Sequence, residues 1–229
     1  ELHGKASAYL YFINRDSKLT GATGRAAIQK NRSEGQLCVQ VMEGTTVTCQ
    51  GGYKAAGIGG SWATRNIAES LFNLDMYGHG ANMHFGSQTN PSLWSGTIIA
   101  KGGDGGAGIG GGCWTSLQDM DGDTAAYNIN IYGGKINAHG GYNGAGIGGG
   151  QFVPARDITI TGGEITAHGT HGAGIGGGRW CHGQNITVTD AKLKLTTGYS
   201  RYISDEAAAM GYGDRVYLSL IHISEPTRH

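Results

Sequence analysis

The chain has no excess of either charge, because 17 Lys and Arg balance 17 Asp and Glu. It therefore lacks the basic footprint that nucleic acid or an anionic membrane surface requires. No apolar run approaches the roughly 20 residues needed to span a bilayer. The sequence predicts neither a nucleic-acid partner nor membrane insertion.

Proline is scarce, with 3 residues, and the 44 glycines follow no collagen triplet period. This combination argues against both disorder and collagen, and favours a backbone that turns often. The sequence starts at Glu1 with no signal peptide, so we expect a processed or trimmed piece of a larger surface protein.

The cysteines also lack a zinc pattern, since no C-x-x-C pair occurs. We expect all of them to be free thiols, with Cys49 at a small inward-facing position. They are Cys38, Cys49, Cys113 and Cys181.

What is present is a repeated glycine-rich unit, GAGIGGG. Its clear copies are residues 106–112, 144–150 and 172–178, with AAGIGGS at 55–61 and weaker copies at 25–31 and 207–213. The copies are unequally spaced, so a basic unit of about 28 residues carries insertions of variable length. A fixed unit with inserted loops indicates a solenoid.

The clearest unit is residues 157–178, DITITGGEITAHGTHGAGIGGG. Period-2 alternation of β-branched residues predicts short strands, and the glycines between them predict corners. Three strands joined by such corners make one triangular coil, which buries its apolar face only by stacking on further coils. We therefore predict an all-β protein, a single right-handed parallel β-helix of about six coils stacked ~4.8 Å apart.

The organisation along the chain follows from the repeats. We predict an N-terminal cap segment at 1–24 and a repeat domain at 25–217, with insertions at 63–80, 86–95 and 115–127. The insertion at 63–80 has the pattern of a short helix. Residues 218–229, LSLIHISEPTRH, resemble a translated sequencing adapter, so we interpret them as an artefactual tail and exclude them from fold prediction.

An Asn or Asp precedes the first strand of most units. These residues are Asn82, Asn128, Asp157 and Asn185. Stacked side chains of this kind can bond one another along the axis and form a ladder. The alternative is that Asn and Asp occur there only because they favour turns.

The GAGIGGG unit, followed by ITITGG and ITAHGG, resembles a repeat of secreted or surface proteins of gut bacteria. The resemblance covers about residues 25–213. It implies a pectin-lyase-like right-handed parallel β-helix, a bacterial origin, and a location outside the cell or on its surface, while the adapter-like tail indicates a metagenomic origin. It implies no catalytic residues.

The outward positions of GAGIGGG are all glycine, so we expect a bare backbone floor that a ligand can approach closely. Three columns of side chains flank this floor. One column is Tyr53, Asp104, Tyr142, His171 and Tyr199, and behind it lie Gln50, Lys101, His139, His168 and Thr196. The opposite column is Trp62, Trp114, Phe152 and Trp180.

Aromatic walls with polar groups between them suit a carbohydrate, because sugar C–H faces pack on rings and hydroxyls need polar partners. We expect a non-enzymatic, adhesin-like module that binds a polysaccharide or a host or bacterial glycan. The expected ligand-binding residues are Tyr53, Asp104, Trp114, Tyr142, Phe152, His168, His171 and Trp180. The alternative is that the Trp and Phe column covers the glycines and leaves no groove.

Two other functions stay open. A polysaccharide lyase or glycosidase would use Asp104 with His139, His168 and His171 as its acid and base groups. These columns hold only one carboxylate, whereas a glycosidase normally needs two, so we do not expect an enzyme. The remaining alternative is a purely structural spacer.

One acidic segment could bind calcium. Asp119, Asp121 and Asp123 supply oxygen ligands, but the segment departs from the EF-hand pattern because Gly122 is at its fourth position and Asn130 at its twelfth. We expect an acidic surface turn, with calcium as the alternative, and no other metal or cofactor.

Overall fold

We analysed a computed structural model of the chain, which describes residues 5–30, 34–62, 78–114, 125–198, 207–211, 213 and 221–223. All regular elements in these residues are β-strands. No helix with the length and apolar character needed to cross a membrane is found among them. The helix predicted within 63–80 falls mainly on residues 63–77, outside the described part of the chain.

The strands form three parallel sheets. The first contains β1 (Ala8–Phe12), β4 (Leu37–Val41), β7 (Ala81–Phe85), β10 (Ala126–Ile131), β13 (Ala155–Ile160), β16 (Gly183–Val188) and β19 (Ile221–Ile223). The second contains β2 (Ser17–Thr20), β5 (Thr46–Gln50), β8 (Thr97–Lys101), β11 (Lys135–His139), β14 (Gly163–Gly169) and β17 (Ala191–Thr197). The third contains β3 (Ile28–Gln29), β6 (Ile58–Gly59), β9 (Ile109–Gly110), β12 (Ile147–Gly148), β15 (Ile175–Gly176) and β18 (Met210–Gly211).

Each successive set of three strands makes one coil, and each strand pairs in parallel with its counterparts in the adjacent coils. In the described part of the chain the third sheet has 6 strands, so six coils are stacked. The predicted right-handed parallel β-helix is confirmed. We call the turn between first- and second-sheet strands the first corner, the turn between second- and third-sheet strands the second corner, and the return to the first sheet the third corner.

The core consists of columns of identical or similar side chains. Ile136 is aligned with Ile98 in one adjacent coil and with Ile165 in the other, and all three are buried. Each fully buried Ile is worth about 1.5–3 kcal/mol, which no single coil could secure without its neighbours. Cys49 is aligned with Ala100 and is fully buried, as its predicted inward position requires. All four cysteines are free.

The predicted ladder is present where the third corner leads into the first sheet. Asn128 Nδ2 donates to Asn82 Oδ1 at 2.7 Å, and Asn185 Nδ2 donates to Asp157 Oδ1 at 3.0 Å. The same four residues have positive φ, between 52° and 56°. Asn and Asp tolerate this left-handed conformation better than other non-glycine residues, so the turn preference and the ladder act together.

Both ends of the chain contribute strands. β1 and β2 lie within 1–24, so the segment that we expected to be a cap supplies the first two strands of the first coil. Ile221–Ile223 pairs in parallel with β16 as β19, within the segment that resembles an adapter. The adapter interpretation rests on the sequence alone.

Candidate functional site

The glycine units at the second corner are not exposed. Every residue of 106–112, 144–150 and 172–178 is buried. A Cβ added to Gly106 would lie 2.0 Å from the Ala55 carbonyl oxygen, and one added to Gly144 would lie 2.0 Å from the Gly106 oxygen. Glycine is required here because the backbones of adjacent coils touch. The expected floor is therefore not exposed, and backbone atoms of adjacent coils, rather than the Trp and Phe column, lie against its glycines.

The cover is the segment that follows each unit, which returns to the second corner of the preceding coil. Cys113 N donates to the Lys54 carbonyl at 2.8 Å, and Arg179 N donates to the Asn143 carbonyl at 2.9 Å. The side chains continue this contact, since Arg179 Nη1 donates to Asn143 Oδ1 and Asn143 Nδ2 donates to Gln151 Oε1, both at 3.2 Å. The covering segments are therefore hydrogen-bonded into the stack.

The expected aromatic wall is not a row of fully exposed rings, because Trp114 is buried and Trp62, Phe152 and Trp180 are half-buried. Trp114 is only 7% exposed and packs with Val153 and Phe152 in a small separate core. Phe152 and Trp180 continue this packing with ring centres 6.3 Å apart. Trp62 does not lie in this column, because one residue fewer separates it from the central isoleucine of its glycine unit. Its ring centre lies 6.1 Å from that of Tyr53.

Part of the polar column stays at the surface. Tyr53 and Tyr142 are 49% and 58% exposed, and Asp104 lies exposed between them, whereas His171 is buried with its ring 4.5 Å from that of Tyr142. The column behind it is aligned as predicted: Gln50, Lys101, His139, His168 and Thr196 are successive register partners.

The candidate acid and base groups are only partly assembled. The His139 and His168 rings are neighbours, with centres 6.1 Å apart, and His171 lies under Tyr142. His168 Nδ1 lies 2.8 Å from Thr196 Oγ1, so its partner is a hydroxyl and not a carboxylate.

The calcium candidate cannot be placed, since Asp119, Asp121 and Asp123 lie outside the described residues. Among the residues that are described, no group of three or more His, Cys, Asp and Glu side chains could hold a metal ion.

A concavity lies at the first corner, where the sequence predicted no site. It is a groove of about 880 Å³ that spans the second to fifth coils. Its floor includes the glycine pairs 133–134 and 162–163, and one wall is the loop at 86–95, which was predicted as an insertion. The Gly-Gly pairs before the second-sheet strands were the signal that could have indicated it.

Glycine has a different role in this groove. A Cβ added to Gly133 would meet only the Pro91 Cβ, at 3.9 Å, and one added to Gly44 would meet nothing within 4 Å. Missing side chains at Gly133 and Gly44 leave space for a ligand, whereas a Cβ on Gly162 or Gly163 would lie 2.9 Å or 2.6 Å from a backbone carbonyl oxygen.

The rest of the groove lining is polar. Thr46, Thr97, Lys135 and Glu164 are successive register partners along its length. Glu164 also accepts from Lys192 Nζ at 3.3 Å. Hydroxyl, ammonium and carboxylate groups thus face one open channel.

An aromatic ledge lies beside the groove, formed by Tyr9, Tyr11 and Trp94. Tyr9 and Tyr11 are 57% and 52% exposed and stack with ring centres 6.4 Å apart. Trp94 lies 5.4 Å from Tyr11 and belongs to the same loop whose Pro91, Ser92 and Ser95 line the groove. The loop therefore joins a polar channel to exposed rings.

Three parallel sheets, an inward aliphatic core and polar outer columns define the chain as a parallel β-helix repeat protein. A family model described as a beta helix repeat matches residues 41–62, 94–113, 129–151 and 158–179. These matches fall on the second to fifth coils. No curated protein and no solved structure is significantly similar to the chain. The comparisons therefore support the β-helix repeat and indicate no ligand.

Proposed function

We propose that this protein is a non-enzymatic, adhesin-like module of a secreted or cell-surface bacterial protein, and that it binds a glycan in the first-corner groove. The groove is the observation that carries the proposal: its volume of about 880 Å³ is of the size that encloses organic ligands. It is open along the stack, which suits a segment of a polysaccharide.

The lining matches the chemistry of a sugar. Hydroxyl groups of a glycan both donate and accept, and the groove offers Thr46, Thr97, Lys135 and Glu164 as partners in four successive coils. The aromatic ledge supplies rings for the apolar faces of sugar residues that extend beyond the groove. Polar and aromatic groups are both needed for carbohydrate recognition, and this region has both.

Glycoside hydrolysis is not part of the proposal. Glu43 and Glu164 both line the groove, but they lie in the second and fifth coils. Three coil spacings separate them by about 14 Å, whereas paired glycosidase carboxylates lie roughly 5–9.5 Å apart. Neither carboxylate has a second one at a catalytic distance within the lining.

The test is a glycan array with the full chain, repeated on Gly133→Phe. A Cβ at position 133 meets only Pro91, and φ there is outside the left-handed range, so the ring can fill the groove without displacing backbone. We expect the wild type to bind at least one glycan and Gly133→Phe to bind none, with unchanged thermal stability.

The matched control is Tyr142→Ala, which removes an exposed ring at the second corner of the same coil. It should leave binding unchanged. If Tyr142→Ala abolishes binding and Gly133→Phe does not, the groove is the wrong site. If the wild type binds no glycan, the protein is better described as a structural spacer.

A further inference from the structure

His139 and His168 form a pair on the outer face of the second sheet. They end β11 and lie near the end of β14, and they are direct register partners in adjacent parallel strands. Their ring centres are 6.1 Å apart with an angle of 54° between the planes. Two imidazoles thus project from neighbouring coils to the same side.

The spacing suits two ligands of one ion. Metal–nitrogen bonds of about 2 Å place the centres of two ligating imidazoles on the order of 5–6 Å apart. The strands themselves are separated by about 4.8 Å, so the two side chains can converge without moving the backbone.

Thr196 orients one member of the pair. His168 Nδ1 lies 2.8 Å from Thr196 Oγ1, the register partner in the next coil. With Nδ1–H donating to this hydroxyl, Nε2 keeps its lone pair and faces away from the threonine. Metal-ligating histidines generally donate their second ring N–H to such an outer partner.

Lys101 is the register partner of His139 on the side away from His168. Its side chain is exposed and can turn its ammonium toward water.

We propose that His139 and His168 chelate a late divalent transition-metal ion on the outer face of the second sheet. Imidazole ligands suit Zn²⁺, Ni²⁺ and Cu²⁺. The described residues supply two ligands, so water fills the remaining positions and the site is open to exchange. This site is independent of the first-corner groove and was not expected from the sequence.

The experiment is calorimetric titration with ZnCl₂, together with electron paramagnetic resonance of the Cu²⁺-loaded chain. We expect one site of this kind, with hyperfine coupling to two imidazole nitrogens. His139→Ala or His168→Ala should remove this site, while His182→Ala, which changes a half-buried histidine outside the pair, should leave it intact. Equal Zn²⁺ binding by the wild type and all three variants, or no Zn²⁺ binding by the wild type, would overturn the proposal. A Cu²⁺ spectrum with coupling to only one imidazole nitrogen would also overturn it.

Thr196→Val separates metal binding from a merely structural role of the pair. It removes the partner of His168 Nδ1 but neither proposed ligand. We expect affinity for Zn²⁺ to fall about tenfold with the two-nitrogen Cu²⁺ spectrum retained. Unchanged affinity would contradict the orienting role of Thr196.

Discussion

The first and second corners flank the same sheet and are both rich in glycine, but glycine has a different role at each corner. At the second corner, the position of a Cβ on Gly141 is 1.8 Å from the Gly103 carbonyl oxygen of the preceding coil. At the first corner, the equivalent position on Gly133 is almost empty. A glycine run therefore indicates a close approach of backbone, but the approaching group can be the protein itself.

Hydrogen bonding shows the same contrast. Within the fourth coil, the second-corner amides of Gly141, Gly144 and Gly146 all donate to backbone carbonyls. At the first corner, the amides of Gly133 and Gly134 make no such bond to a described residue. In the fourth coil, these second-corner glycines are bonded to the protein's own backbone, whereas the two first-corner glycines keep donors that a ligand can use.

The largest difference in stability between the two corners is expected from single alanine substitutions, one at each corner of the fourth coil. Gly141→Ala forces a methyl group against the Gly103 carbonyl, so it should lower the free energy of unfolding by about 3 kcal/mol or more. Gly133→Ala should leave it unchanged or raise it by up to about 1 kcal/mol. Urea denaturation measures the free energy of unfolding of both variants. Equal values would contradict the difference between the two corners.

Thiol labelling tests whether the second corner is covered. Burial raises the pKa of Cys113 from 9.0 to about 11. At pH 8 this lowers its thiolate fraction about a hundredfold relative to the unfolded chain. At pH 8 we expect iodoacetamide to modify Cys113 rapidly in the denatured chain and very slowly in the native protein, in which the rate should rise as the pH approaches 11. Mass spectrometry of the digested protein reports the site, and rapid native labelling would indicate an open corner.

A smaller effect is expected from the side chains that cross the second corner. Asn143→Ala removes the partner of both Arg179 Nη1 and Gln151 Oε1 in a buried setting. The unfolding free energy should fall by about 1–3 kcal/mol. Gln88→Ala at the exposed first-corner loop is the control and should change it by less than about 0.5 kcal/mol. A lower denaturation midpoint for Gln88→Ala than for Asn143→Ala would be inconsistent with the covered second corner.

The smallest effect is expected at the ion pair near the groove. Lys192 Nζ and Glu164 Oε1 are 3.3 Å apart, with side chains 85% and 53% exposed. Solvent screens such a pair, so Lys192→Met should lower the unfolding free energy by less than about 0.5 kcal/mol. A loss of unfolding free energy above about 1 kcal/mol would show that this ion pair is held more rigidly than the exposure of its side chains indicates.

Much of the fold could be predicted because the repeat period encodes register. Alternating Ile and Ala positions predicted the inward columns, and the same alignment placed His139 and His168 in one outward column. Asn128 was likewise predicted to stack on Asn82, which the structure confirms. These features depend only on which residues of successive coils are neighbours.

The site was less predictable, because it depends on segments outside the repeat. Trp62 and Trp114 follow their units at different offsets, so alignment alone could not show that one packs on Tyr53 and the other is buried. The groove exists because the loop at 86–95 extends along the stack beside Gly133. No period in the sequence encodes where an insertion folds.

We infer that the second corner is closed and that the first corner is available to a ligand. Hydrogen–deuterium exchange, followed by mass spectrometry with and without the glycan selected on the array, tests it most directly. We expect residues 140–149 to exchange slowly in both states, and residues 86–95 and 132–134 to exchange quickly and slow down when glycan binds. Fast exchange at 140–149 that glycan suppresses would contradict the account.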